Sequence, residues 1–229
     1  MKLAIMQPYF FPYVGYFKLI GSVDKFVFYD DVDFIKNGWI NRNRIFVSGK
    51  VGYMTIPLLG ASSNQKICDV QTQKKSLWVR KLTEAVKQNY SKAPNFKACF
   101  ELFNAVLEQE QDSISDYAKS SVLLTVEALG IDAEMVMSSK VYANEQLKSE
   151  DRILDICNKE QADEYWNLPG GALLYEKESF ASRGIDLKFV KPALVEYPQA
   201  GRDFEPGLSI LDVMMFNSFD EARQLVTNK

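Results

Sequence analysis

The chain contains no histidine. That excludes Ser-His-Asp and Cys-His triads, metal sites built mainly on imidazole, and an imidazole general base. Acid–base work near neutral pH is left to carboxylates, tyrosines, lysines, a cysteine or the substrate's own amine. Cysteine is scarce. Cys68, Cys99 and Cys157 are an odd number, far apart, with no CxxC pair, which fits a reducing cytoplasm and argues against a disulfide framework or a zinc site. No apolar run approaches the roughly 18 residues of a membrane span, so no membrane insertion is expected. The first residues enter an apolar strand pattern with one lysine and no cleavage pattern, so no signal peptide is expected. Positive charge is not in excess: the formal net charge is -3, so no nucleic-acid partner is expected and any anion site must be local. There is no GxxxxGK[ST] loop, repeat or low-complexity tract.

What is present is alternation. Of the 229 residues, 47% are hydrophobic and 25% charged, an ordinary balance for a globular protein. Lys2–Met6 reads as a buried strand, Tyr13–Val23 has apolar residues at helical spacing, and Lys25–Asp31 reads as a second strand. Together they have the size of a βαβ unit. Asn43–Ser48 and Gly52–Leu58 read as a hairpin turning at Gly49-Lys50, and "QKICDVQT" as a further short strand. Apolar stripes over 76–89, 96–107 and 114–128 predict three helices, the last stopped by Gly130. From Ala133 onward strands and helices alternate, with a serine cap expected at Ser149. The predicted architecture is a single α/β domain over residues 1–229 with a parallel sheet and a helical insertion or subdomain over roughly 75–130.

Three clusters carry candidate chemistry. The first, "MQPYFFPYVGYFKLI", places six aromatic residues between Tyr9 and Phe17. It follows a strand, where ligands of α/β sheets bind, and it opens a helix whose N-terminus can receive an anion. Phe10, Phe11 and Phe17 suit the core. Gln7, Tyr9, Tyr13 and Tyr16 have polar tips and flat faces suited to a base or sugar. The second, "YDDVDFIKNGWINRNRI", mixes Asp30, Asp31, Lys36, Trp39, Asn41, Arg42 and Arg44 at the end of the second strand. Arg42 or Arg44 can clamp a phosphate bidentately, and Asp30, with Asp31 as the alternate, is the candidate base. Aspartates this close can also bind Mg²⁺, but that signal is weak, and no metal is assigned. The third, "NLPGGALLYEKESF", holds Asn167, Gly170, Gly171 and Tyr175, and reads either as a plain βα turn or as a loop where backbone approaches a ligand. Ser138 can add a hydroxyl to the same rim. Cys99 and Cys157 lie on apolar helix faces, which leaves Cys68 as the one thiol to test.

Strand, proline-containing loop, "YVGY", helix and second strand resemble the start of the nucleotidylyltransferase-like superfamily. That implies a Rossmann-like fold of the nucleotidylyltransferase or HUP kind. Tyr13 and Tyr16 stand where its H-x-G-H motif has histidines, which counts against nucleotidyl transfer itself. Over nearly the whole length, "MQPYFFPYVGYFKLI", "DKFVFYDDVDFIKNGWINRNRI", "IPL", "YSKAPNF", "NLPGGALLY" and "LSILDVMMFNS" resemble the WbqC-like family. That resemblance implies a cytoplasmic enzyme of bacterial O-antigen and surface-polysaccharide synthesis. The expected reaction is acyl or aminoacyl transfer to a nucleotide-linked amino sugar, by direct attack of the sugar amine. The expected donor is acyl-CoA or the phosphopantetheine arm of an acyl carrier protein, with no tightly bound cofactor. The alternatives are an ATP-dependent amide ligase on the same sugar and a non-catalytic module that binds nucleotide sugar or carrier protein.

Overall fold

The computed structural model describes residues 1–191, 194–199 and 203–227. The chain begins with β1 (Lys2–Met6), α1 (Val14–Ile20) and β2 (Lys25–Phe28). A hairpin of β3 (Arg42–Val47) and β4 (Lys50–Thr55) follows. Next come α2 (Val79–Tyr90), α3 (Phe96–Glu108) and α4 (Ile114–Ala128). Then β5 (Glu134–Val136), α5 (Ser149–Lys159), β6 (Glu164–Asn167), α6 (Lys177–Ala181) and β7 (Asp186–Phe189) alternate. Two helices, α7 (Ile210–Phe216) and α8 (Phe219–Thr227), end the described chain.

The five-stranded sheet has the order β5-β2-β1-β6-β7, with every neighbouring pair parallel. This is a Rossmann-like α/β sheet. Its strands are apolar on both faces because helices cover both. Leu3, Ile5, Val27, Tyr165 and Leu187 pack on one side with Ile153, Ile156 and Phe180. Ala4, Phe26 and Phe28 pack on the other with Phe17, Phe103 and Val122. Alternation along each strand thus divides the core into two layers.

From β1 the chain moves outward to β2, and from β6 it moves outward the opposite way to β7. The loops after β1 and β6 therefore part, and a crevice opens between them at the carboxyl end of the sheet. The connection from β2 to β5 is long and carries the hairpin as well as α2, α3 and α4.

Three local expectations change. "QKICDVQT" is not a strand; it holds a 3₁₀ turn, Ile67–Asp69, tied to its surroundings by isolated bridges such as Asp33 to Lys66. The hairpin turns at Ser48-Gly49, one residue earlier than the composition suggests. Both residues have positive φ, 51° and 80°, as the twist of a two-residue hairpin requires. Ser149 does not cap α5: Lys148 holds that position without a side-chain cap. Serine caps form elsewhere: at α4 the Ser113 hydroxyl accepts from the Ser115 amide, and at α7 the Ser209 hydroxyl accepts from the Leu211 amide.

Candidate functional site

The aromatic knot divides its labour. Phe10, Phe11, Tyr16 and Phe17 are fully buried, while Tyr9 and Tyr13 face a cleft of about 640 Å³. Tyr16, expected among the ligand contacts, belongs to the core: its hydroxyl donates to the Gln7 carbonyl at 2.8 Å, and its ring lies 5.6 Å from that of Tyr9. It shapes the loop from beneath. The backbone between is laced to three distant segments. The Phe10 amide donates to the Trp39 carbonyl at 3.1 Å, and the Phe10 carbonyl accepts from Asn43 Nδ2 at 3.2 Å. Phe11 sits at φ 41°, an uncommon region for a bulky residue. It is held there by Ser121 Oγ, which accepts from its amide at 2.9 Å, and by Ser209 Oγ, which donates to its carbonyl at 2.7 Å. Backbone strain of this kind persists only where the surroundings over-determine it, and it gathers at functional sites.

Gly15 serves the same loop. A Cβ there would lie 2.4 Å from Tyr13 Cε2 and 2.7 Å from the Tyr13 hydroxyl, so only a hydrogen lets the Tyr13 ring lie across the start of α1. That helix has seven residues, and its short run of aligned peptide dipoles makes a weak anion site.

The second wall comes from the 35–44 segment: Ile35, Trp39, Asn43 and Arg44. Arg44 Nη1 pairs with Glu205 Oε1 at 3.2 Å, and its Nη2 donates to the carbonyls of Pro206 and Gly207 at 2.7 and 3.0 Å. The guanidinium thereby ties the chain before α7 to the cleft. Arg42 does not line it. Its Nε and Nη2 donate to the carbonyls of Gly38 and Asn37, and its guanidinium lies 4.5 Å from the centroid of the Tyr53 ring, so it braces the 37–38 turn. Asn41 Nδ2 donates to the Ile56 carbonyl at 3.0 Å. Lys36 is exposed outside the lining.

The third wall follows β6. Asn167, Leu168, Gly170, Gly171, Leu174 and Tyr175 line the cleft around a 3₁₀ turn, Pro169–Leu173. Asn167 Oδ1 accepts from the Leu168 amide at 2.7 Å, and its Nδ2 donates to the Tyr165 hydroxyl at 3.2 Å. A Cβ on Gly171 would fall 2.7 Å from Asn167 Nδ2, so this glycine is required by close approach.

Asp30 and Asp31, the expected bases, do not line the cleft. Asp30 is 1% exposed. Its Oδ2 pairs with Lys119 of α4 at 2.5 Å, and its Oδ1 accepts from Ser138 Oγ at 2.6 Å. Ser138 is thus bound to this carboxylate and is absent from the rim. Asp31 is 2% exposed, pairs with Arg152 of α5 at 2.5 Å, and accepts from Ser139 Oγ. Both carboxylates are partnered inside the fold, where they brace two helices.

Tyr29, which the sequence patterns do not single out, also lines the cleft. Its signal was its position, one residue past the last residue of β2. Burial raises the phenols of Tyr9, Tyr13, Tyr29 and Tyr175 above the ordinary tyrosine value, and for Tyr29 the Arg152 cation opposes that rise. Among the described residues, Arg44 is the one charged side chain in the lining. The cleft therefore presents neutral hydroxyls, three carboxamides (Gln7, Asn43 and Asn167), aromatic faces and one guanidinium. Also among the described residues, no three carboxylate or thiol side chains gather where they could hold a metal ion, and no helix is long and apolar enough to cross a membrane.

Residues 7–224 match the WbqC-like protein family. The chain belongs to that family. The match takes in all three walls, from Gln7 to Tyr175, together with the segment that Arg44 holds. Another chain similar to this WbqC-like protein is the uncharacterized protein Rv1507c of Mycobacterium tuberculosis. It is 30% identical over 224 residues, covering 96% of this chain and 95% of the mycobacterial one. No solved structure matches the chain significantly.

Proposed function

We propose that this WbqC-like protein is a transferase of surface-polysaccharide synthesis that attaches an acyl or aminoacyl group to the amine of a nucleotide-linked amino sugar. The observation that carries the reading is the lining of the cleft. Tyrosine and tryptophan faces suit the flat C–H face of a sugar or a base. Carboxamides and phenols suit its hydroxyls. The one guanidinium in the described lining, Arg44, suits one phosphate. The family resemblance supplies the setting, and the position at the strand switch supports a nucleotide-linked ligand.

The reaction is direct. The neutral amine nitrogen attacks the carbonyl carbon of a CoA or carrier-protein thioester, and the C=O electron pair moves to oxygen. As the pair returns, the C–S bond breaks. The proton lost by nitrogen goes to the departing thiolate, leaving an amide and a thiol. Among the described residues no carboxylate lines the cleft to take that proton, so the amine must enter unprotonated and the rate must rise with pH through its ionisation.

The test is to incubate the protein with nucleotide-linked amino sugars and either acyl-CoA or loaded acyl carrier protein, and to follow product mass. Formation of an N-acyl sugar above the uncatalysed rate supports the reading. Tight sugar binding without turnover favours a second one, a binding module without chemistry, which the absence of a carboxylate or amine side chain from the described lining also favours.

A further inference from the structure

We infer that Tyr29 is the catalytic phenol of the cleft, donating its hydroxyl hydrogen to the substrate carbonyl oxygen as negative charge develops there, and that Arg152 and Asp31 position it. The inference rests on the transferase reading above.

Acyl transfer needs a hydrogen-bond donor aimed at the oxygen that becomes an oxyanion. With no lysine or carboxylic acid in the described lining, the phenols are the natural donors. Tyr29 differs from the others by its neighbour. The guanidinium carbon of Arg152 lies 5.0 Å from the centroid of its ring. Arg152 is itself 3% exposed and immobilised, with Nη2 on Asp31 at 2.5 Å and Nε on Asn144 Oδ1 at 2.9 Å. A fixed cation on the ring draws electron density from the phenol and strengthens its O–H as a donor. The base of the ring is equally fixed, since the Tyr29 amide donates to the Met6 carbonyl at 2.8 Å at the end of β1. Asp31 thus acts at one remove: it holds the cation that holds the phenol.

The charged and titratable groups facing Tyr29 are Arg152 from α5, Asp31 from its own strand end, Tyr165 from β6 and Tyr175 from the loop after β6. Burial raises the phenol, Arg152 lowers it, and Tyr175 and Asp31 raise it again. Because the protonated phenol is the working form, turnover should rise with the ionisation of the amine, level off, and then fall as pH passes the ionisation of the phenol.

Two readouts separate this inference from the transferase reading. The first is turnover. Tyr29→Phe should lower kcat by about 10²-fold, the usual effect of removing one oxyanion donor, with KM changed less than about twofold. Replacing Tyr29 with 3,5-difluorotyrosine, which keeps the hydroxyl but ionises at lower pH, should move the alkaline fall to lower pH; the same replacement at Tyr9 should not. The second readout is binding. The amino sugar of the panel that binds best is given an N-methylphosphonyl group, which mimics the tetrahedral oxyanion. The wild type should bind it more tightly than the N-acetyl product, and Tyr29→Phe should lose that preference. Wild-type turnover with an unaffected Tyr29→Phe variant overturns the inference and leaves the transferase reading standing. A phosphonyl preference that depends on Tyr29, without wild-type turnover from any donor, supports Tyr29 as the oxyanion donor and overturns the donor class. No preference in the wild type overturns the inference.

Discussion

Asp30 and Asp31, adjacent in the chain, send their carboxylates to two different helices: Asp30 to Lys119 of α4 and Asp31 to Arg152 of α5, each at 2.5 Å. Adjacent residues leaving a strand point to opposite sides, and here each side carries a helix with one buried cation. The end of β2 is clamped from both faces, and Tyr29, immediately before the pair, is held over the cleft.

Removing either carboxylate should therefore act first on stability. Asp30→Asn leaves Lys119 buried without its counter-charge, and Asp31→Asn does the same to Arg152. Breaking one partner of a buried pair costs about 3–5 kcal/mol. Urea denaturation should show that loss in each variant. A drop in turnover in Asp30→Asn without loss of stability would return Asp30 to the role of base.

Gly15→Ala should leave the fold nearly intact and alter the cleft. Alanine gains about 1 kcal/mol over glycine within a helix, but its methyl group would overlap the Tyr13 ring, which must swing away. Sugar affinity should fall while the thermal midpoint changes by a few degrees at most, as calorimetry and thermal melts would show. Unchanged affinity would mean that the Tyr13 ring is not a ligand contact.

The two arginines should behave differently. Arg44→Ala should weaken nucleotide-sugar binding and reduce its sensitivity to salt, and Arg44→Lys should rescue it poorly because lysine lacks the planar fork. Arg42→Ala should leave affinity within about twofold, since its guanidinium is spent on the 37–38 turn and Tyr53. Equal losses at both positions in a titration would show that the cleft extends further than its present lining.

The pair of Lys25 and Glu160, 2.7 Å apart, supplies a pH dependence. Burial tends to raise the Glu160 carboxyl, but hydrogen bonds from Lys25 and Tyr142 outweigh it and leave the group below its usual value. A depressed carboxyl contributes stability that is present above its unfolded value, roughly 4.3, and is lost as pH falls through the folded one. Lys25 is raised by its hydrogen bonds to Glu160 and Glu134, so its contribution is present below roughly 10.4 and fades as pH rises through the folded value. Denaturation of Lys25→Met between pH 7 and 3 should show a shallower acid loss than the wild type. Parallel curves would remove this pair from the acid response.

The α/β alternation, the parallel sheet and, apart from Tyr16, the divided use of the knot's aromatics were legible because they rest on local periodicity and on the position of loops after strands. Gln7, Tyr9 and Tyr13 after β1, Trp39 and Arg44 after β2, and Asn167, Gly170, Gly171 and Tyr175 after β6 all lie around one cleft, since parallel strands deliver their following loops to the same end of the sheet. Which side chains turn inward was not legible. Arg42 and Arg44 are two residues apart on one strand and share a face, yet only Arg44 reaches the cleft. The turn at Asn37 and Gly38 captures the first, and the 205–207 segment, distant in sequence, draws in the second.

The sequence alone determined the kind of sheet, the family and the chemistry that is unavailable, since an absent histidine is absent in any conformation. Only the tertiary structure decided the fate of the two aspartates. A carboxylate at a strand end looks the same in sequence whether it meets solvent, substrate or a buried cation. Lys119 and Arg152, some 90 and 120 residues further along, reach it only when the helices pack. Once water is excluded, a buried carboxylate must be paired with such a cation.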